Sequence, residues 1–231
     1  MRLSIAVSYG PSFSADEGWL RRFMCLFVAG WLAMLPQAPA FAQAPAKLVV
    51  LGDSLSAGYN LPAAAAFPVW LQKALADKGI AVDIANAGVS GDTTSGGLGR
   101  LDWSVPDGTQ GVILELGAND ALRGVDPKIP REALTEIIKR LQARGIKVLL
   151  CGMLAPPNYG KDYADKFNAI YPDLAKQFDV PLYPFFLDGV AGDSKLNLPD
   201  GMHPTAEGVD VVVRKILPTV EAFLATLPPK N

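Results

Sequence analysis

The sequence predicts an α/β fold: a three-layer sandwich on a five-stranded parallel sheet. Two observations carry this. Short apolar runs alternate with helical stripes along the chain, the order that builds a parallel sheet with crossover helices. Several of those runs, at 47–52 (KLVVLG), 111–116 (GVILEL) and 147–151 (KVLLC), are apolar almost throughout, as strands buried on both faces are. Right-handed crossovers then give an open, doubly wound sheet, for which the strand order 2-1-3-4-5 is expected.

The elements follow in chain order. The first strand, 47–52, ends at a glycine. Phe67, Trp70, Leu71, Ala74 and Leu75 then fall on one face of a helix, with Pro68 tolerated in its first turn. Residues 80–84 read as the second strand and 111–116 as the third. Ala133, Leu134, Ile137, Ile138 and Leu141 form a second helical stripe, preceded by Pro130, and 147–151 is the fourth strand. Phe167, Ile170, Tyr171, Leu174 and Phe178 make a third stripe that Pro172 should kink. A short fifth strand is expected at 180–183, and Val209, Val212, Val213 and Ile216 open a last helix.

Half of the 231 residues are hydrophobic, enough for one domain with a full core. The first 42 residues read separately. Arg21 and Arg22 precede an apolar run at 23–35, and Ala40-Phe41-Ala42 closes it. Positive, apolar, small-x-small is the order of a signal peptide. The run is shorter than the roughly 20 residues that span a bilayer. Cleavage is expected after Ala42, leaving 43–231 as an exported domain, periplasmic or secreted, with no stable membrane insertion. Cys25 then departs and Cys151 alone remains, so no internal disulfide forms. One Cys and one His cannot make a zinc site of those ligands, and no metal is expected. A net charge of −2 provides no field to gather nucleic acid. Neither G-x-G-x-x-G after the first strand nor GK[ST] is present, which argues against dinucleotide and P-loop chemistry. Nothing in the sequence calls for more than a monomer.

Ligands of such sheets sit at the carboxyl ends of the strands. Four loops there are unusual. Ser54, in Gly52-Asp53-Ser54-Leu55-Ser56-Ala57-Gly58, follows a buried strand, where its hydroxyl can stand on the sheet rim. Asp and Ser are equally apt as helix caps, and Ser56 occupies the second glycine position of a G-x-S-x-G elbow. Gly91, in Ala87-Gly88-Val89-Ser90-Gly91-Asp92-Thr93-Thr94, lets a backbone N–H face an oxyanion. Asn119, in Leu116-Gly117-Ala118-Asn119-Asp120, can aim an amide at developing negative charge or simply form an Asx turn. His203, in Asp200-Gly201-Met202-His203-Pro204, is the chain's sole histidine. A tight turn would bring Asp200 to one of its ring nitrogens. Each loop has a bland reading alone. The fold places all four on one edge, and that coincidence points to a nucleophile with a general base.

These blocks resemble the GDSL, or SGNH, hydrolase superfamily. The matches are Ser54 in GDSLSAGY, Gly91 in VSGDT, Asn119 in GAND where GGND is expected, and His203 with Asp200 in DGMHP. They run from about Lys47 to the last helix. Tyr183 to Phe186 (YPFF) and Pro156 to Gly160 (PPNYG) add similarity to the bacterial periplasmic acyl-CoA thioesterase/lysophospholipase/arylesterase group. The resemblance implies a serine esterase or thioesterase that needs no cofactor and acts on small acyl-ester or thioester substrates. Its catalytic residues would be Ser54, Asp200 and His203. Its oxyanion hole would comprise Ser54, Gly91 and Asn119, and Tyr159 and Phe185 would line an acyl groove. Two other readings stay open: a carbohydrate O-acetylesterase with the same catalytic residues, and a flavodoxin-like ligand-binding module, which would need neither the histidine nor Asp-x-x-His.

Overall fold

The structure, a computed structural model, describes residues 44–228 together with Gly10. The expected signal peptide, its cleavage site and Cys25 otherwise lie outside the described residues. Five strands, β1 (Ala46–Gly52), β2 (Val82–Gly88), β3 (Gly111–Glu115), β4 (Lys147–Cys151) and β5 (Leu182–Tyr183), form one sheet in the order β2-β1-β3-β4-β5. Every pairing is parallel. This is the expected fold class and strand order. The apolar runs form the centre: Val50, Leu51, Val112, Ile113, Leu114, Leu149 and Leu150 are wholly buried.

Between the strands lie α1 (Ser54–Ala57), α2 (Phe67–Ala76), α3 (Thr94–Gly99), α4 (Leu101–Ser104), α5 (Ala118–Leu122), α6 (Lys128–Ala143), α7 (Lys161–Asn168), α8 (Ile170–Phe178) and α9 (Ala206–Leu224). Helices α2 and α9 pack on each other, while α6 packs on α3, α8 and β4. The predicted stripes are the buried faces: Phe67, Leu71 and Leu75 on α2, and Leu134, Ile137, Ile138 and Leu141 on α6. Among the described residues no helix is long and apolar enough to cross a membrane.

Three boundaries differ from expectation, each for a local reason. The second strand runs over 82–88, later than the expected 80–84. It is an edge strand that pairs only with β1, so Asp83 and Ala85 face solvent and continuous apolarity is not required. Ile80 instead donates its N–H to Leu75, closing the turn after α2. The fifth strand holds two residues, because the Val180 N–H goes back to Ala175 at the end of α8. The expected kink at Pro172 is a full break at Ala169, between α7 and α8. Proline lacks an N–H and crowds the carbonyl four residues earlier, here that of Asn168, where α7 stops.

Register sets the position of the chemistry. Gly52 of β1 sits level with Gly88 of β2 and Glu115 of β3. The first three loops therefore leave the sheet at one height along its carboxyl edge.

Candidate active site

Ser54 is the first residue of α1, immediately after β1. Asp53 caps that helix by accepting the Leu55 N–H at 3.0 Å. Ser54 Oγ lies 2.9 Å from Nε2 of His203, and Nδ1 of the same ring lies 2.8 Å from Asp200 Oδ2. A carboxylate only accepts, so Nδ1 carries the proton and Nε2 is left to accept the Ser54 hydroxyl. Asp200 is held by its own turn: its Oδ1 accepts the N–H groups of Met202 (2.9 Å) and His203 (3.0 Å). The backbone N–H of His203, then that of Met202, pull its carboxyl down to about 2. The turn is clamped from outside, with the Leu198 N–H donating to the His203 carbonyl and the Thr205 N–H to Leu196. The tilted ring of Tyr59 lies over the imidazole, centroids 4.3 Å apart.

Gly91 is the third residue of a turn closed by the Asp92 N–H donating to Val89, at φ +81°, where a side chain would be strained. Its carbonyl is taken by Arg123 at 2.9 Å. Among the described residues, the backbone N–H groups of Ser54 and Gly91 have no partner. Asn119 sits in the first turn of α5. Its Nδ2 donates to the Asp92 carbonyl at 2.9 Å and to Asp53 Oδ2 at 3.2 Å. The left-handed position of this loop is Gly117, at φ +121°, against the Tyr171 hydroxyl. Ala118, where the family block has a second glycine, is ordinary helix and carries no strain.

A buried polar layer beneath the site was not anticipated from the sequence. Arg100, 7 % exposed, pairs with Asp92 at 2.6 Å and donates to the carbonyls of Gly52 and Ala87 and to Ser104. One guanidinium thus stitches the ends of β1 and β2 to the loop that carries Gly91. Asp120 accepts both the N–H and the hydroxyl of Thr94, tying the third loop to the second. Glu115 is wholly buried. It accepts the Asp53 N–H at 3.3 Å and hydrogen-bonds the Ser56 hydroxyl. Burial, then the neighbouring Asp53, push its carboxyl well above the usual range, which favours the neutral acid. The available signal was a lone charge in the apolar run GVILEL, since a strand buried on both faces tolerates a carboxyl only when it is paired or neutral.

This sets an expected result. Glu115→Gln, isosteric with the neutral acid, should keep activity within a few-fold. Glu115→Ala leaves the Asp53 N–H and the Ser56 hydroxyl without their partner, at about 1–3 kcal/mol each. A thermal melt of both variants checks it: equal melting temperatures would contradict the assignment.

Beside Ser54 a cavity of about 330 Å³ opens, lined among others by Leu122, Met153, Leu154, Phe185, Leu187 and His203. That lies within the range of small-molecule pockets. Phe185 is where the sequence reading put it. Tyr159 is not: it is absent from the lining, packs on Tyr163 and donates its hydroxyl to the Leu122 carbonyl at 2.8 Å. The correction has a simple cause. Tyr159 ends a 3-10 turn at 157–159, and its polar tip reaches a nearby carbonyl instead of entering an apolar groove. It supports the wall through Leu122.

Comparison with known proteins shows the family. The model of the GDSL-like lipase/acylhydrolase family matches residues 50–211. An arylesterase of Vibrio mimicus is 44 % identical over 169 residues, 73 % of this chain and 84 % of that protein. The thioesterase 1/protease 1/lysophospholipase L1 of Escherichia coli K12 is 39 % identical over 184 residues, 78 % of this chain and 87 % of that one. A crystal structure of the psychrotrophic esterase EstA from Pseudoalteromonas sp., inhibited by monoethylphosphonate, superposes with a TM-score of 0.74 at 30 % identity, over 78 % of this chain and 99 % of that one. With family blocks, sheet order and relatives in agreement, the chain belongs to the GDSL-like lipase/acylhydrolase family of hydrolases.

Proposed function

We propose that the protein hydrolyses acyl esters and thioesters through an acyl-enzyme on Ser54, its substrates drawn from aryl esters, acyl thioesters and lysophospholipids. The observation that carries this is the Ser54 Oγ to His203 Nε2 contact of 2.9 Å, with the far nitrogen tied to Asp200. His203 takes the hydroxyl proton as Oγ attacks the carbonyl carbon. A tetrahedral oxyanion forms, and the C–O or C–S bond breaks as His203 returns the proton to the leaving group. Water then repeats the cycle on the acyl-enzyme and frees the acid.

The unpaired N–H groups of Ser54 and Gly91 and the Asn119 amide supply donors for the oxyanion. Both Asn119 amide hydrogens face protein acceptors. The longer bond, to Asp53, is the one an oxyanion would replace. The names of the arylesterase and thioesterase relatives support the ester and thioester range. The apolar lining favours a hydrocarbon acyl chain over the acetyl group of a polysaccharide, and a Ser–His–Asp chain has no use in a flavin-binding module.

A fluorophosphonate reagent should label one residue, Ser54, found by mapping the modified peptide. Label on another residue, or none, would defeat the proposal. Asn119→Ala should lower kcat about 10²–10³-fold, and wild-type turnover would remove Asn119 from the oxyanion hole. We further propose that residues 1–42 are an export signal, supported by their order of charge, apolar run and small residues. The processed protein would begin at Gln43, which N-terminal sequencing of the exported form checks.

A further inference from the structure

We propose that Tyr59 is a positioning residue for His203, holding the imidazole by its face and stabilising the cation it becomes during turnover. This rests on the assignment of His203 as base. The two hydrogen bonds of the imidazole run from its edge, to Ser54 and Asp200. Neither presses on its face. Tyr59 does: the ring centroids are 4.3 Å apart at 33°. The two rings are thus in contact but tilted, neither stacked flat nor edge-on. Tyr59 itself is 40 % exposed, so it is not a core residue whose place is explained by burial.

Its backbone fixes it there. After α1 the chain turns through Gly58, and the N–H groups of Gly58 and Tyr59 both donate to the Ser54 carbonyl at 3.2 Å. Leu61 closes the turn with a bond to the Gly58 carbonyl at 3.0 Å. The residue that would supply the nucleophile thus also anchors the aromatic ring that covers the base.

The energetic consequence lies in the transition state. The resting imidazole is uncharged when it accepts the Ser54 proton, and it becomes imidazolium as the proton moves. A tyrosine face attracts a cation more than a neutral ring. The interaction therefore strengthens along the reaction and appears in kcat rather than KM. Its size for a partly exposed pair corresponds to about a 2- to 30-fold change in rate. The carboxyls of Asp200, from its own turn, and Asp53, just after β1, both interact electrostatically with the imidazole. Neither changes when Tyr59 does.

The test compares Tyr59→Phe with Tyr59→Leu, using hydrolysis of an aryl ester across the acid limb of the pH profile. Phenylalanine keeps the π face, and kcat and the acid limb should stay at wild-type values. Leucine keeps bulk without the face. Its kcat should fall several-fold with KM within about twofold, and the acid limb of kcat/KM should move to lower pH as the cation loses support. Wild-type kcat and an unmoved limb in Tyr59→Leu would overturn the proposal. A loss confined to KM would also overturn it, assigning Tyr59 to the substrate wall, as would equal damage from phenylalanine, assigning the effect to the hydroxyl. Labelling by the fluorophosphonate separates the two levels. If Ser54 of the wild type is not labelled, the base assignment falls first. If it is labelled in wild type and more slowly in Tyr59→Leu, at an unchanged melting temperature, the positioning role stands.

Discussion

Ser54→Ala should lower kcat on the order of 10⁶-fold, His203→Ala should do the same, and the double variant should be no slower than either alone. The reason is geometric. Proton transfer needs both partners, and Oγ and Nε2 are 2.9 Å apart with no other imidazole in the chain to stand in. Removing one makes the other useless, so the effects of the two substitutions do not multiply. What survives is the contribution of the oxyanion donors and of substrate binding, roughly 10³–10⁴ over water. Pre-steady-state turnover of an aryl ester measures this, with burst amplitude reporting acyl-enzyme. A double variant slower by the product of the two single losses would mean that the two residues act independently.

Asp200→Asn carries the next largest expected effect, a fall in kcat on the order of 10³–10⁴-fold with little change in fold or KM. The asparagine amide can present a hydrogen where the carboxylate presents only lone pairs. Nδ1 then no longer needs to be the protonated nitrogen, and a ring protonated at Nε2 cannot accept from Ser54. Asp200 is about one-third exposed, so charge stabilisation of the imidazolium is screened and the tautomer argument carries most of the loss. A variant within tenfold of wild type would show that the turn alone holds the ring.

The carboxyls also predict opposite pH dependences of stability. Asp200 has its folded value lowered to about 2 by backbone N–H groups. Its contribution is fully present above the unfolded value of about 4 and is lost as pH falls through about 2. Asp53 is raised to about 6, by burial first, against the bonds from Leu55 and Asn119. The folded chain binds that proton more tightly, so stability declines as pH rises from about 4 through about 6.

The sheet was legible because its central strands are buried on both faces and must be apolar throughout. Val49 to Leu51, Val112 to Leu114 and Val148 to Leu150 could hardly read otherwise. The edge strand was displaced because Asp83 and Asn86 are permitted there. The four loops were legible because a parallel sheet concentrates function at one edge, and a sole histidine leaves one candidate base. The support beneath them was not. Arg100 and Glu115 act through contacts with Gly52 and Ser56 that lie 48 and 59 residues away, and no spacing rule reaches that far. Tyr59 stood inside the block GDSLSAGY, but a positioning role depends on where His203 arrives, 144 positions later in the numbering of a folded chain. Tyr159 was misplaced because aromatic character near a cleft does not say which way the ring turns.

The contact between the Ser54 hydroxyl and the His203 ring joins residues 149 apart in sequence. Ser54, Gly91 and Asn119 all lie in the first two-thirds of the domain, while the imidazole and its carboxylate follow in one short turn just before α9. Until the turn that carries His203 is in place, the Ser54 hydroxyl has no imidazole beside it. The Ser54–His203 pair therefore assembles only once the chain through that turn has folded back against the end of β1.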